Sequence, residues 1–162
     1  MPLASIALLC LVIAVPDGDT LRARCGHAGK AQPVTVRLSA VDAPERAQPY
    51  GRRARQALAG LVHRKEVELA CVDTDRYGRR VCKVMVAPAS APAGPRTLDA
   101  GLSLVSTGMA WWYTGFAWQQ SPQERGQYEF AQAEAKAKRA GLWRDARPVP
   151  PWRWRQTAPR SD

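Results

Sequence analysis

An apolar run followed by four segments of two-residue alternation, with one helix-spaced segment between the third and fourth strands so defined, predicts an α+β chain. Three strands, a helix and two strands is the order required by an OB-type five-stranded barrel, in which the helix plugs one end. Two more helical stretches toward the C-terminus bring the expected helices to three. With 162 residues, 46% of them hydrophobic, the chain is long enough for one packed domain.

Leu3 to Val15 is apolar apart from Ser5, as in the core of a secretory signal, but no Lys or Arg precedes it and no small-residue cleavage site follows. The run is also too short to span a bilayer. We therefore read Leu9–Val15 as the first strand and residues 1–8 as the end of a leader. Asp17-Gly18 predicts a two-residue hairpin turn. Thr20–Cys25 alternates Leu21, Ala23 and Cys25 against Thr20, Arg22 and Arg24. After the Gly26–Pro33 turn, Val34, Val36 and Leu38 alternate against Thr35 and Arg37. Gly51–His63 carries Ala54, Leu58, Leu61 and Val62 at helical spacing, and Lys65–Cys71 and Val81–Val86 complete the strands.

Ala87–Arg96, rich in Pro and Ala, reads as an insertion at a barrel loop. Thr97–Thr107 predicts the second helix, ended by Gly108. Ser121, Pro122 and Glu124 form an N-cap, an N1 proline and a capping-box acid for the third helix, which runs to Ala140 before Gly141. Residues 9–147 thus form the domain, and residues 148–162 an extended Pro/Trp/Arg tail, either packed on the barrel by its tryptophans or free as a basic arm.

In the predicted first hairpin, positions summing to 35 face each other, which sets Cys10 opposite Cys25 in a hydrogen-bonded pair. A disulfide there requires a bulge or an adjusted twist. Cys71 and Cys82 bracket the Asp75–Arg79 loop on inward faces. The even count and the placement favour two disulfides and an oxidising compartment; four buried thiols are the other reading.

Lysine and arginine number 24 against 14 acids, a formal net charge of +10. Such a surface favours a polyanionic partner, nucleic acid first, although charge alone equally describes a basic surface that keeps the chain soluble.

Three ordered motifs sharpen this: Asp17-Gly18-Asp19-Thr20, then Arg37-Leu38-Ser39-Ala40-Val41-Asp42-Ala43-Pro44-Glu45, then Asp75-Arg76-Tyr77-Gly78-Arg79. In these the chain resembles the staphylococcal nuclease family, over residues 11 to 147. The resemblance implies the same barrel and a Ca²⁺-dependent endonuclease acting on DNA and RNA with 3′-phosphate and 5′-hydroxyl products. It also implies Ca²⁺ ligation by Asp19, Asp42 and the backbone carbonyl of Ala43, where the best-known family member has Thr. Arg37 and Arg79 would bind the phosphate, and Tyr77 would stack on a nucleotide. The Trp111-Trp112-Tyr113 cluster lies where the family lines its cleft, and Tyr113 is the candidate for substrate contact there.

The residue chemistry agrees. Phosphodiester hydrolysis needs a base for the attacking water and positive charge on the transition state. Hard carboxylate oxygens at a turn and a strand end suit Ca²⁺ better than Mg²⁺. Pro44 holds Asp42 and Glu45 in one tight loop, and Glu45 is the candidate general base. Two arginines are suited to clamping a phosphate through paired N–H donors. Taken singly, each residue has a bland reading: Asp42–Glu45 is a common turn composition, Arg37 could pair on a strand face, Arg79 could be a solvated loop charge, and Trp111 and Trp112 could be packing residues.

The function expected is a secreted or periplasmic nuclease, monomeric, with no membrane span and no obligatory protein partner. A catalytically silent OB module that binds nucleic acid is the main alternative, since this fold serves binding as well as chemistry. A basic interaction domain working through residues 148–162 is the third reading.

Overall fold

The computed structural model describes residues 7–26 and 32–157. The leader expected over residues 1–8 lies outside these except at its end, where Leu8 already opens the first strand. The chain runs β1 (Leu8–Asp17), β2 (Thr20–Cys25), β3 (Gln32–Leu38), β4 (Val41–Asp42), α1 (Gly51–Val62), β5 (Glu66–Thr74), β6 (Arg80–Val86), β7 (Leu98–Asp99), α2 (Ala100–Ser106) and β8 (Trp111–Trp112). A 3₁₀ turn (Thr114–Gln119), α3 (Pro122–Ala137), a second 3₁₀ turn (Gly141–Arg144) and α4 (Pro151–Thr157) follow. Strands pair in the order β3-β2-β1-β5-β6-β7, and a parallel β3–β6 pairing closes β1, β2, β3, β5 and β6 into the expected five-stranded barrel. β4 and β8 form a separate two-stranded ribbon beside it.

Alternation fills the interior. Val12, Leu21, Ala23, Val36, Leu38, Val67, Leu69, Cys82, Val84 and Val86 are buried, and α1 covers one end with Ala54, Leu58 and Val62 at four-residue spacing. The first hairpin departs from the sequence reading in an instructive way. The turn residues are Gly18 and Asp19, not Asp17 and Gly18, since Asp17 pairs with Thr20. Two register shifts between Val12 and Asp17 then restore Cys10 opposite Cys25. Pro16, which has no N–H to give the ladder, sits in the shifted segment. The carbonyls of Val15 and Pro16 accept instead from Arg55 Nε (2.9 Å) and Arg46 Nη2 (3.0 Å). The Cys10–Cys25 Cα separation of 4.3 Å is that of the close, non-hydrogen-bonded kind of pair, so the shifts convert the expected pair into one a disulfide can span. Both disulfides are formed, Cys10–Cys25 and Cys71–Cys82, the second between directly paired residues of β5 and β6.

The helix ends follow the sequence signals with two adjustments. Asp99 caps α2 through Leu102 N, which starts the helix three residues later than Thr97, and Gly108 at φ +71° follows its C-terminus as expected. Ser121 caps α3 through Glu124 N at 3.2 Å. At the other end Arg139 (φ +52°) is the first left-handed residue after α3, two positions before Gly141, which is left-handed as well (φ +54°). Gly141 serves another purpose: a Cβ there would lie 2.3 Å from Gly108 O, and one on Gly108 2.0 Å from Ala140 O. Two glycine backbones cross at this point, joined by Leu142 N donating to Gly108 O at 2.9 Å.

The tail departs most from expectation. The sequence predicts an extended tail over residues 148–162; Pro151–Thr157 is instead helical, with Arg153 N and Trp154 N donating to Pro150 O. Pro150-Pro151 supplies a helix start in which a missing N–H costs nothing. The segment packs back on the barrel, one of the two placements open from sequence.

Candidate active site

A cleft of about 530 Å³ opens over the β1–β2 turn, the loop after β4 and the β5–β6 loop. Its lining includes Asp19, Arg37, Asp42, Ala43, Glu45, Tyr77 and Arg79, which come from all three sequence motifs. Tyr113 is absent from the lining; its ring lies behind, 4.7 Å from Phe116 and 4.8 Å from Trp152. Phe116 takes the cleft position instead.

The cleft floor is built from Arg37, Asp19 and Asp42. Arg37 leaves β3 on the face opposite Val36 and Leu38, yet its side chain is only 13% exposed, because the loop after β3 folds over it. Its Nη1 donates to Val41 O (2.8 Å), and Nη2 lies 3.3 Å from Asp42 Oδ1 and 3.5 Å from Asp19 Oδ2. Asp19 Oδ2 also accepts from Ala43 N at 2.8 Å, and Thr20 Oγ1 donates to Asp19 Oδ1 at 3.0 Å. The first hairpin and the loop after β4 are therefore tied through one carboxylate. Gly18 makes this approach possible, since a Cβ there would lie 2.7 Å from Ala54 Cβ and 3.0 Å from Ala43 Cβ.

Glu45 stands at the rim, 40% exposed, on a loop held from two sides. Its N–H donates to Gln48 Oε1 at 3.0 Å, and Gly51 packs beneath it at the start of α1. On the opposite wall Asp75 closes its own loop: Oδ1 accepts from Tyr77 N (2.9 Å) and Arg79 N (3.0 Å), and Oδ2 from Arg79 Nε (2.7 Å). Gly78 at φ +79° makes the turn. Among the described residues only Nε of the Arg79 guanidinium is engaged, which leaves the Nη donors for the cleft. Arg76 and Arg79 flank the Tyr77 ring at 4.9 and 5.3 Å, and that ring is 68% exposed.

Burial pushes the Asp42 carboxyl above its usual range, against the lowering effect of hydrogen bonds and charge from Arg155 and Arg37. Burial, and then the neighbouring Asp19 charge, does the same to Asp17. At Asp75 partial burial raises the pKa, but hydrogen bonds from Arg79 and Tyr77 outweigh it and the net shift is downward.

A model of the family described as "Staphylococcal nuclease homologue" matches residues 35–145. Protein ParB of Escherichia coli is 42% identical over 94% of this chain and 89% of its own length. The Micrococcal nuclease of Shigella flexneri is 38% identical over 91% of this chain and 80% of its own. This chain belongs to the staphylococcal nuclease homologues. An uncharacterized endonuclease of Escherichia coli O157:H7 is 35% identical over 89% and 82% of the two chains.

Likeness to the nucleases of this family implies a metal site, and the donor set of this chain fits a hard cation. The Asp19 and Asp42 carboxylates converge on one side of the cleft floor, where they share a single guanidinium nitrogen, and Ala43 lies between them and Glu45. Two carboxylates with a backbone carbonyl leave places for water, as Ca²⁺ tolerates. Among the described residues no three acidic, His or Cys side chains converge tightly enough to hold a metal by themselves, so such a site depends on carbonyl and water oxygens.

Sequence reasoning missed three contributors. Asp75 was visible as the first residue of its motif, and its four-residue spacing from Arg79 across a glycine could have marked it as the residue that orients that arginine. Phe116 carries no local signal. Arg155 is the third: Nη2 lies 2.7 Å from Asp42 Oδ2 and Nη1 2.6 Å from Glu45 Oε1. Only the three-residue spacing of Trp152 and Arg155 hinted that the tail presents both on one face.

Proposed function

We propose that this protein is a Ca²⁺-dependent endonuclease that hydrolyses phosphodiester bonds of DNA and RNA, leaving 3′-phosphate and 5′-hydroxyl ends. The observation that carries the reading is the division of labour among the acids: Asp42, 2% exposed, is on the cleft floor with Asp19, and Glu45 is on the open rim. In this reading Glu45 accepts the proton of the attacking water, a task for an accessible carboxylate. Arg37, held by Val41 O, and Arg79, held by Asp75, direct N–H donors at the phosphate and stabilise the charge that builds on it. Asp19, Asp42 and the Ala43 carbonyl hold the cation, which when bound supplies positive charge next to the phosphate oxygens. Tyr77 stacks on a base without reading its identity, consistent with a substrate range covering both nucleic acids.

Two disulfides favour an oxidising compartment, hence a secreted or periplasmic protein acting as a monomer. Among the described residues no helix is long and apolar enough to cross a membrane. One observation favours a silent nucleic-acid-binding module instead, namely Arg155 lying on both Asp42 and Glu45.

Cleavage of single-stranded DNA and RNA with Ca²⁺, with Mg²⁺ and with chelator separates the two readings. The nuclease reading expects Ca²⁺-dependent cutting that Glu45→Gln lowers by about 10²–10⁴-fold with the fold intact. Salt-sensitive binding with no cutting under any metal would replace it with the binding module.

A further inference from the structure

We propose that α4 is a cation-mimicking plug: Arg155 occupies the Asp42 carboxylate in place of the divalent cation and covers Glu45 beside it, and the helix leaves the cleft when the cation binds. The proposal rests on the metal-site reading given above.

The contacts of Arg155 are those of a counter-ion. Nη1 and Nη2 span both oxygens of Asp42 at 3.2 and 2.7 Å, and Nη1 also reaches Glu45 Oε1 at 2.6 Å. A buried carboxylate requires nearby positive charge, and Asp42 receives it from Arg37 on one side and Arg155 on the other. Arg79, on the opposite wall, is held through Nε and among the described residues keeps both Nη donors free for the phosphate. Both Nη atoms of Arg155 are instead committed to the acids that the cation and the water would need.

The helix is placed for this by its aromatic residues. Trp152 lies one turn before Arg155 and wedges between Trp111 and Tyr113, with ring centroids 5.5 and 4.8 Å away. Trp154 enters a small cavity lined by Pro44, Tyr50 and Trp111, and Gln48 Nε2 donates to Val149 O. Gln48 Oε1 accepts from Glu45 N, so one buried glutamine ties the tail to the loop of the candidate base.

The same arrangement is releasable. Seven residues are too few to remain helical in water without tertiary contacts, so undocking and unwinding of α4 are coupled. Arg155 is 47% and Glu45 40% exposed, so that half of the contact is open to water and weakly held, while a divalent cation would give the buried Asp42 carboxylate the positive charge that Arg155 takes away on leaving. Release also lifts Trp152 off the Tyr113 ring, 4.8 Å away. A plug docked in ten molecules of eleven lowers apparent cation affinity about tenfold.

Calorimetric titration with Ca²⁺ of the full chain, of Arg155→Ala and of Trp152→Ala tests this directly. Both variants are expected to bind Ca²⁺ about tenfold more tightly than the parent, Trp152→Ala because it undocks the helix while keeping every charge. Tightening in Arg155→Ala alone would reduce Arg155 to a nearby charge and overturn the plug. Equal affinities with slower cleavage in Arg155→Ala would make it a third substrate arginine and overturn it as well, as would the absence of Ca²⁺ binding in all three proteins. Heat, not cleavage, is read: the expected affinity differences in a chain that cuts nothing keep the plug and reject the nuclease, while cleavage with equal affinities does the reverse.

Discussion

Gly51 shows how tightly the candidate base is positioned. A Cβ on it would stand 1.9 Å from Glu45 O and 2.8 Å from Glu45 C, and Gly51 N donates to Gln48 O at 2.9 Å. The first residue of α1 is thus the seat of the Glu45 loop. Gly51→Ala must push that loop toward the cleft and is expected to cost about 1–3 kcal/mol, as overpacking does. Urea unfolding would measure the cost, and turnover should fall further than lost stability explains because Glu45 moves with its backbone. Unchanged cleavage in a folded variant would mean the loop tolerates displacement. The glycine was visible in the sequence, but its neighbour was not: Glu45 lies six positions earlier, and the contact exists only because the loop doubles back through Gln48.

Between elements, α3 is joined to the cap of α2 by a part-buried polar pair. Tyr128 OH donates to Asp99 Oδ2 at 2.8 Å, while Asp99 Oδ1 caps α2 through Leu102 N. Burial, followed by the Asp99 charge, raises the Tyr128 phenol above its ordinary value of 10.0. The sign follows from linkage. In the unfolded chain Tyr128 loses its proton from about pH 10 upward while the folded chain retains it, so stability present below that pH is lost as pH rises further. Tyr128→Phe is expected to lose about 1.5–3 kcal/mol at neutral pH, the value of a hydrogen bond to a charged acceptor. It should also show a shallower alkaline decline, checked by urea midpoints at about pH 8 and about pH 11. Equal declines would assign the alkaline loss to other groups. Of this pair the sequence showed only helix boundaries: Thr97 opened the expected second helix, whereas Asp99 caps it, because β7 pairs with β6 first.

Over the whole molecule, a formal net charge of +10 meets a cleft whose floor is acidic, so the basic excess lies outside it. Arg46, Arg52 and Arg53 are exposed where the Glu45 loop enters α1, with Arg53 5.3 Å from the Tyr50 ring. If these residues track the strand beyond the cleft, affinity for single-stranded DNA should fall with salt at a log–log slope of roughly −2 to −3, about 0.7 for each phosphate neutralised. A slope near zero would leave the charge as a solvated surface. Alternation and turn residues made the barrel legible in the sequence, since period-two burial needs only neighbouring residues to be read. The three acid-and-arginine motifs were legible for a similar reason, each being a short segment with its own turn chemistry. The hairpin register was not: it depends on two shifts between Val12 and Asp17, where the carbonyls of Val15 and Pro16 are met by Arg55 of α1 and Arg46 of the loop before it. Nor was the placement of Tyr113 and Arg155, because Trp152, Gln48 and Asp42 meet only after the barrel has closed. Local patterning determined what the elements are and which side chains are the candidates for the chemistry. Long-range packing seated Trp152 on the Tyr113 ring and decided which cation rests on the cleft's acids, the latter through contacts between residues more than a hundred positions apart.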